Sequence, residues 1–406
     1  GIGRRQRQMC IRDREYIMRK KTALAFYFAA AVTAGLVGCS TPSKDPAYDK
    51  ADTLPEYQQN SFQEYIADTK TWLTENRLFL TGNQQQELAQ VLPREYVPSE
   101  PNGQGVLLVH GLGDSPYSFT DIATHLAEQG YLVRTVLLPG HGSKAGDLLL
   151  PSLEDWQGVV HHHIGLLKQD TDSIWVGGYS TGANLVTSEA LSDEDINGVL
   201  LFSPAFQPGS TTVKFAELAS YFITWADQDP EDNPLRYNSL PMSAAAVYYQ
   251  TSAQVRDKLA TANYDKPVFM LMSEADSVIN TQFSIDTFTQ KMKNPNSRIV
   301  WQGEYDLTEP RSTRFSMNLP EQRISNGSHM GLLFSPNNPN YGINGTNIIC
   351  SNGQEETDAA KCAQGEQVWY SAWGYTEPGK IHARLTYNPY FDESMQIMDS
   401  VMSSRI

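Results

Sequence analysis

The stretch that most constrains the fold is segment 174–182, with the sequence I-W-V-G-G-Y-S-T-G. It begins with an apolar run typical of a strand, and the residues that follow it, 183–191, have a helical pattern. Glycines two positions before and two positions after Ser180 let the neighbouring backbone pass without a clashing Cβ. The segment therefore predicts a sharp strand-to-helix turn that exposes the Ser180 hydroxyl beside a helix start, whose free N–H groups suit an oxyanion. Taken alone, G-x-S-x-G is common by chance, and an ordinary glycine-rich turn between a strand and a helix is the alternative.

Apolar runs and helical patterns alternate along the rest of the chain. Further strands are predicted at 105–110, 131–138, 196–203, 267–273 and 298–302, and helices at 62–73, 83–92, 116–129, 153–168 and 392–403. Strands that alternate with helices form a mostly parallel sheet with right-handed crossovers. The fold class is therefore α/β, with a mostly parallel central sheet flanked by helices.

The interval between Pro204 and Pro267 is too long for a simple crossover. It holds two helical candidates, 213–225 and 243–258, joined by a stretch rich in Asp, Asn and Pro. We therefore predict an inserted helical cap over residues 205–266. Its apolar face would consist of Phe215, Leu218, Tyr221, Phe222 and Trp225. The alternative is that this face packs on the domain, and part of it must.

The composition suits one large domain with insertions, since 40% of the 406 residues are hydrophobic. The formal charge is −15. Residues 1–38 hold eight of the 31 Lys and Arg and two of the 46 Asp and Glu, which leaves 23 basic and 44 acidic residues, a net of −21. Such a surface repels nucleic acid, so no nucleic-acid partner is expected, and anionic substrates gain no long-range steering.

Residues 1–38 have the pattern of a targeting segment. A short basic run at 18–21 precedes the apolar run 22–37, which is short for a membrane span. The following Leu-Val-Gly-Cys, ending at Cys39, resembles the lipobox of bacterial lipoproteins, in which the cysteine is lipidated and becomes the first mature residue. Met18 is then the expected start, and residues 1–17 are upstream sequence. The alternative is an ordinary cleaved signal peptide with a chance cysteine.

The lipoprotein resemblance implies a location in the bacterial cell envelope. Two or three acyl chains on Cys39 would anchor the protein stably in a membrane. Ser40, rather than an Asp, follows the cysteine, and this implies transport to the outer membrane, facing the periplasm. Residues 39–60, which contain three prolines among polar residues, would serve as a tether, and residues 61–102 form an N-terminal helical segment.

Two cysteines remain once Cys10 and Cys39 are set aside. Cys350 and Cys362 flank a polar, turn-rich loop within the irregular insertion 335–379. In an oxidising envelope we expect them to form one local disulfide, and two free thiols are the alternative.

A serine hydroxyl needs an adjacent base, and His329 is the histidine best placed to supply it. It lies in the glycine-containing loop 325–331 after the last predicted strand, which we expect to be flexible enough to reach Ser180. Asp276, directly after the strand at 267–273, is the favoured acid to orient the imidazole. Glu274 lies closer to that strand, and Asp306 is a reserve. The order Ser180, Asp276, His329 is the nucleophile, acid and base order found on this type of sheet.

A second glycine loop, His110-Gly111-Leu112-Gly113, follows the strand at 105–110. The backbone N–H of Leu112, paired with that of Thr181, would complete an oxyanion hole, although an ordinary strand-end turn fits the loop equally well. The remaining histidines are interpreted as structural or solvent-facing, and His161 to His163 point in different directions along a helix. No metal and no organic cofactor is therefore expected.

Taken together, residues 103–334 resemble the α/β-hydrolase superfamily, nearest to its monoacylglycerol lipase, lysophospholipase and serine aminopeptidase S33 branch. The matching motifs are H-G-L-G at 110–113, L-P-G-H-G at 138–142, S-L-E-D-W at 152–156, G-Y-S-T-G at 178–182 and E-A-D-S-V-I at 274–279. The resemblance implies Ser180 as nucleophile, Asp276 and His329 as its partners, Leu112 and Thr181 as oxyanion donors, and a cap that shapes an acyl-binding tunnel. Segment 335–379 has no counterpart in that pattern and can edge the active-site mouth.

The sequence thus predicts an α/β-hydrolase core formed by residues 103–204 and 267–406. The expected function is hydrolysis of small-molecule acyl esters through an acyl-enzyme, in a protein attached to the membrane by its N-terminal lipid. An amidase, peptidase or acyltransferase would use the same residues. A hydrolase fold retained only as a binding or scaffolding module is the remaining alternative. Acyl-chain length and oligomeric state stay open.

Overall fold

The computed structural model describes residues 45–403. The chain divides into two compact units, residues 1–46 and 47–406, and the first is described only at residues 45 and 46. The predicted leader, the expected start Met18 and the expected lipidation site Cys39 lie outside the described residues. Within residues 45–403, no helix combines the length and the apolar character needed to cross a membrane.

An eight-stranded sheet forms the centre of the second unit. Its strands are β1 (Arg94–Tyr96), β2 (Gln104–Val109), β3 (Leu132–Val136), β4 (Ser173–Tyr179), β5 (Ile196–Phe202), β8 (Val268–Ser273), β9 (Arg298–Gln302) and β10 (Ser312–Phe315). Four short strands form two separate two-stranded sheets: β6 (Trp225–Asp227) with β7 (Leu240–Pro241), and β11 (Trp369–Ser371) with β12 (His382–Arg384). The order in the sheet is β1-β3-β2-β4-β5-β8-β9-β10. Only β1 runs antiparallel to its neighbour, so the sheet is mostly parallel, as predicted.

The central strands are buried on both faces, which explains their continuous apolar sequences. Leu107 and Val109 of β2 pack in one core, and Val106 and Leu108 pack in the other. Helices cover each face of the sheet. The helices of the described residues are α1 (Phe62–Asn76), α2 (Gln84–Val91), α3 (Thr120–Glu128), α4 (Leu153–Asp170), α5 (Thr181–Ala190), α6 (Ala216–Ser220), α7 (Met242–Thr261), α8 (Thr281–Lys291), α9 (Glu356–Ala363) and α10 (Phe391–Met402). Helices α4, α5 and α8 contribute to the first core, and α3 and α10 contribute to the second.

The sheet order brings three chain segments to one edge. Val109 of β2 pairs with Gly178 of β4, Gly178 pairs with Leu201 of β5, and Leu201 pairs with Met270 of β8. These strands are parallel, so their carboxyl ends lie side by side. The residues that follow β2, β4 and β8 therefore meet at this edge, where open α/β sheets place their ligands.

The cap interval differs from the predicted pair of helices. The second helix is present as α7. The first predicted helix, 213–225, is only partly present: a 3-10 turn at Thr211–Phe215 leads into the short α6, which ends at Ser220. Its predicted end is wrong, because Trp225 begins β6, which pairs antiparallel with β7. Aromatic and β-branched residues follow Ser220 in the sequence Y-F-I-T, and such residues lose side-chain freedom in a helix. The expected apolar face is largely exposed, with Phe222 82% accessible.

The C-terminal insertion contains the expected disulfide, which joins Cys350 to Cys362 and excludes the alternative of free thiols. The insertion also contains α9 and β11, and β11 pairs with β12. Two polar strands of the main sheet lay outside the prediction: β1 and β10, whose sequences R-E-Y and S-T-R-F lack an apolar run.

His163 on α4 is a fully buried histidine, in contact with the rings of Phe62 and Tyr65. Burial, followed by the charges of His162 and Arg134, lowers the pKa of His163 from 6.5 to about 3. The folded state therefore favours the neutral ring. The stability that the folded state gains from the neutral His163 ring is fully present above pH 6.5, and it is lost as the pH falls toward the folded-state pKa.

We predict that His163 makes the fold acid-sensitive. Between pH 7.5 and pH 4.5 its titration should cost about 2–3 kcal/mol of unfolding free energy, since each unit of pKa shift corresponds to roughly 1.4 kcal/mol. In H163F, urea unfolding at the two pH values should show a pH dependence smaller by that amount. H161A, which removes an exposed imidazole from the same helix, is the control and should retain the wild-type dependence. Equal pH dependence in wild type and H163F would contradict the assignment.

Candidate active site

Ser180 occupies the turn between β4 and α5 with an uncommon backbone conformation, φ 54° and ψ −114°. The two flanking glycines permit this turn. A Cβ at Gly182 would lie 2.0 Å from the carbonyl oxygen of Val109, and a Cβ at Gly178 would lie 2.4 Å from backbone atoms of Gly182 and Ala183. The predicted strand-to-helix turn is confirmed, and the spacing of the glycines reflects contact between the start of α5 and the end of β2.

His329 lies beside Ser180 although 149 residues separate them. The distance from His329 Nε2 to Ser180 Oγ is 3.0 Å. The side chain of His329 is 12% exposed and Ser180 is 8% exposed, so both lie in a nearly closed site. The ring of His329 also packs against Tyr179, with centroids 5.0 Å apart.

The loop that carries His329 is held by hydrogen bonds, in contrast to the flexible loop expected from the sequence. Ser203 Oγ donates to the carbonyl oxygen of His329 at 3.2 Å. Ser328 Oγ donates to the carbonyl oxygen of Leu385 at 2.5 Å and accepts from Gly331 N. The base position is therefore fixed by β5 and by the chain that follows β12.

Asp276 follows β8 and meets the other ring nitrogen of His329. The distance from Asp276 Oδ2 to His329 Nδ1 is 2.6 Å, and the carboxylate is fully buried. Its other oxygen, Oδ1, accepts hydrogen bonds from the N–H groups of Val278 and Ile279. A proton on Nδ1 can donate to Asp276, which leaves Nε2 free to accept from the Ser180 hydroxyl.

The two alternative acids make other contacts. Glu274 Oε2 accepts from the N–H of Glu304 at 2.5 Å. Asp306 is 83% exposed and pairs with Arg314 at 2.7 Å. Of the three acids considered from the sequence, the structure thus brings Asp276 to His329.

Two buried histidines shape the glycine loop after β2. His141 Nε2 accepts the N–H of Gly113 at 3.0 Å, and His110 Nε2 accepts the N–H of Leu138 at 3.0 Å. Burial lowers the pKa of His141 to about 4 and that of His110 well below its usual 6.5, so both rings are neutral acceptors at neutral pH. Because the His141 ring accepts the N–H of Gly113, a buried side chain helps to fix the backbone conformation of the loop that contains Leu112.

Leu112 and Thr181 both line the cavity that contains Ser180 and His329. Thr181 is the first residue of α5, where backbone N–H groups have no partner within the helix. The two residues proposed as oxyanion donors therefore flank Ser180 from the ends of two neighbouring strands.

The cavity around Ser180 has a volume of about 420 Å³, which suits a small-molecule ligand. Much of its lining is apolar and comes from both the core and the cap: Leu112, Val213, Leu240, Ala245, Val278 and Met330. A second cavity of about 610 Å³ shares the residues Asp227, Arg236, Asn238 and Arg384 with it. The two spaces therefore meet at these shared side chains.

Arg236 and Arg384 are the site residues that the sequence analysis missed. Arg236 lies between β6 and β7 in the polar stretch of the cap, and Arg384 ends β12. A single arginine in a polar segment belongs to no motif and follows no periodic pattern. Only the folded chain brings these residues to the cavity.

Three further histidines on α3 and α4 form contacts away from Ser180. His125 pairs with Asp399 at 3.0 Å, and His161 pairs with Glu189 at 3.0 Å. His162 Nε2 lies 2.7 Å from the carbonyl oxygen of Gln59. Across residues 45–403, no three His, Cys, Asp or Glu side chains are grouped so that they could hold a metal ion.

Comparison with known proteins gives a family match over the part of the chain that carries the serine. Residues 100–229 match the family model described as serine aminopeptidase, S33. A thermostable monoacylglycerol lipase from Bacillus sp. (strain H-257) is 30% identical over 182 residues, which cover 43% of this chain and 71% of the lipase.

Solved structures of lipolytic enzymes are more distant. A structure from a study of two metagenome-derived lipolytic enzymes, LipS and LipT, is 21% identical and covers 53% of this chain and 88% of its own, with a TM-score of 0.45. The Paleococcus ferrophilus monoacylglycerol lipase is 18% identical and covers 56% and 90%, with a TM-score of 0.44. With TM-scores below 0.5, these likenesses add nothing to the sequence match. On the sequence match and the mostly parallel sheet, the chain belongs to the monoacylglycerol lipase and S33 branch of the α/β-hydrolase superfamily.

Proposed function

We propose that this protein is a serine hydrolase that cleaves carboxylic acyl esters through a covalent acyl-enzyme. The observation that carries the proposal is the hydrogen-bonded chain from Ser180 to His329 to Asp276 at the wall of a mostly apolar cavity. This arrangement is what a serine needs to act as a nucleophile at neutral pH.

In the first half of the reaction, Ser180 Oγ attacks the ester carbonyl carbon while His329 Nε2 takes its proton. Asp276 stabilises the resulting imidazolium through Nδ1, and the backbone N–H groups of Leu112 and Thr181 stabilise the oxyanion. The tetrahedral intermediate then collapses: the bond to the alcohol oxygen breaks, and the alcohol leaves with the proton that His329 returns. The acyl group remains on Ser180.

In the second half, water replaces the alcohol. His329 takes a proton from the water as it attacks the acyl carbon, and the same donors hold the second oxyanion. Collapse releases the carboxylic acid and returns the proton to Ser180. The substrate class is supported by the similarity to a protein named as a monoacylglycerol lipase and by the apolar lining of the cavity.

We further propose that Cys39 is lipidated and holds the protein in the bacterial cell envelope, at the outer membrane facing the periplasm. The motif at 36–39 supports this, and the Cys350–Cys362 disulfide suits an oxidising compartment. C39S should release the protein from the membrane fraction of expressing cells and abolish incorporation of labelled fatty acid. Continued fatty-acid labelling of C39S would place the anchor elsewhere.

S180A tests the proposed nucleophile. It should abolish hydrolysis of p-nitrophenyl acyl esters and labelling by a fluorophosphonate probe, because His329 then has no hydroxyl to activate. S400A, a change at an exposed serine on α10, should keep both. Unchanged labelling of S180A would reject the assignment, and wild-type activity confined to aminoacyl-naphthylamides would favour a peptidase instead.

D276N tests the proposed acid. The amide keeps the shape of the side chain but cannot stabilise the imidazolium or hold the same ring tautomer, so kcat should fall by about 10⁴-fold. D306N is the matched control, since Asp306 is exposed and pairs with Arg314. It should change kcat less than about twofold. The reverse result, with D306N inactive and D276N active, would show that Asp306 rather than Asp276 is the acid. Thermal melting of both variants checks their folding.

A further inference from the structure

Arg384 and Arg236 lie where the cavity around Ser180 meets the second cavity. Both residues line both spaces. The first space is lined largely by apolar side chains, whereas the second is lined mainly by polar ones, among them Asn233, Thr346, Asn347 and Ser351. A ligand that reaches Ser180 from the junction would therefore place its apolar part in the first cavity and its polar part beside the two guanidinium groups.

Arg384 is held in place by neutral groups. Its Nε donates to Asn352 Oδ1 at 2.6 Å, and its Nη2 donates to the carbonyl oxygen of Ser351 at 3.0 Å. No carboxylate within residues 45–403 forms an ion pair with it. Burial and the charge of Arg236 lower the pKa of Arg384 to about 9, which still leaves the group charged at neutral pH. The partly buried cation at the junction therefore lacks a counter-charge.

Arg236 is only partly neutralised. Its Nε lies 3.5 Å from Asp114 Oδ1, and Asp114 is itself buried, which raises the pKa of that carboxyl. Asp114 lines the cavity around Ser180, whereas Asp227 lines both cavities and is exposed to solvent. Asp229 and Asp232 line the second cavity alone. The acidic groups at and near the junction therefore lie beside Arg236 or in solvent, and Arg384 is the cation there that has no carboxylate in ion-pair contact.

We propose that the preferred substrates are acyl esters whose alcohol portion carries a compact anionic group, a carboxylate or a phosphate monoester, bound by Arg384 with Arg236 beside it. This inference rests on the proposed ester hydrolase function. The acyl chain occupies the apolar cavity, the ester carbonyl lies at Ser180, and the anionic group supplies the counter-charge that Arg384 lacks. Planar guanidinium groups bind carboxylate and phosphate through two parallel hydrogen bonds.

The two arginines can attract an anionic ester only at short range, because the protein as a whole is acidic. A formal charge of −15 gives an anionic ester no attraction at long range. The arginines therefore act after the ligand has entered, where water is partly excluded and charges are less screened by salt. The preference for anionic esters should accordingly persist at 0.5 M NaCl.

The test compares esters that share one acyl chain. A decanoyl ester of glycerol is the neutral substrate, a decanoyl ester of glycerol 3-phosphate carries the phosphate, and a decanoyl ester of glyceric acid carries the carboxylate. The wild-type protein should show a higher kcat/KM for at least one anionic ester than for the neutral one. R384Q should lower the ratio of anionic to neutral kcat/KM by about 10–100-fold, the range expected when a charge-assisted hydrogen bond is lost.

Two further variants separate recognition from folding. R384K keeps the charge but not the forked geometry, and it should restore part of the ratio. R298Q is the matched control, because Arg298 begins β9 at the opposite edge of the sheet and bonds to the carbonyl oxygens of Pro295 and Ser297. It should leave the ratio within about twofold of wild type.

Binding to the S180A protein keeps the inference distinguishable from the proposed function. By calorimetry, S180A should bind the anionic esters more tightly than the neutral ester, and S180A/R384Q should lose that difference. A preference for the phosphate ester alone or the carboxylate ester alone supports the inference and identifies the group. Equal kcat/KM for all three esters, or equal loss on all three in R384Q, would overturn it. Hydrolysis by S180A would instead overturn the proposed nucleophile and leave the binding result intact.

Discussion

The close contact between the start of α5 and the end of β2 is the constraint on which the site depends. A Cβ at Gly182 would clash with the carbonyl oxygen of Val109, and a Cβ at Gly178 would clash with the first turn of the helix. These contacts leave Ser180 at φ 54° on a turn between two rigid elements. A non-glycine residue in this region is strained by roughly 1–3 kcal/mol, and the surrounding sheet and helix hold it there. The same contact brings the glycine loop after β2 against the serine.

The parallel order of the strands extends this local geometry into a complete site. Because β2, β4 and β8 end at one edge, Leu112, Ser180 and Asp276 converge without long loops. His329 is the exception, since it lies on a loop after β10. Hydrogen bonds from Ser203 and to Leu385 hold that loop, so its position is fixed both by the end of β5 and by the C-terminal part of the chain. The insertion contributes as well: Ala372 N donates to Asn326 Oδ1 and Ser325 N donates to the carbonyl oxygen of Tyr370.

The sequence predicts those parts of the fold that have a strong local signal. Strands such as β2 and β8 are buried on both faces, and their continuous apolar runs reveal them. The glycine spacing around Ser180 reveals the turn because the backbone contacts there exclude a Cβ. The edge strands β1 and β10 are not predicted from the sequence, because an edge strand needs no apolar run and these two carry charged residues instead. The segment 213–225 is misjudged because its apolar residues suggest a helical face that the structure leaves in solvent.

The site residues also differ in whether the sequence carries a local signal for them, and Arg384 is one that has none. Ser180 and Asp276 can be proposed from the sequence because each follows a predictable strand, and His329 because it lies in a glycine-containing loop. Arg384 reaches the cavity only because β12 pairs with β11 and because Asn352, two residues after the disulfide-bonded Cys350, accepts from its guanidinium.

A guanidinium that served structure alone would be more stable beside a carboxylate, because removing a charge from water without a counter-charge is costly. This chain has many carboxylates, and it pairs the buried Arg134 with Glu95 at 2.7 Å. The Arg384 guanidinium instead donates to two neutral acceptors, the side-chain amide oxygen of Asn352 and the carbonyl oxygen of Ser351. Charged groups that lack a counter-charge are expected where function requires them, so this placement supports the proposed role of Arg384 in binding an anionic substrate.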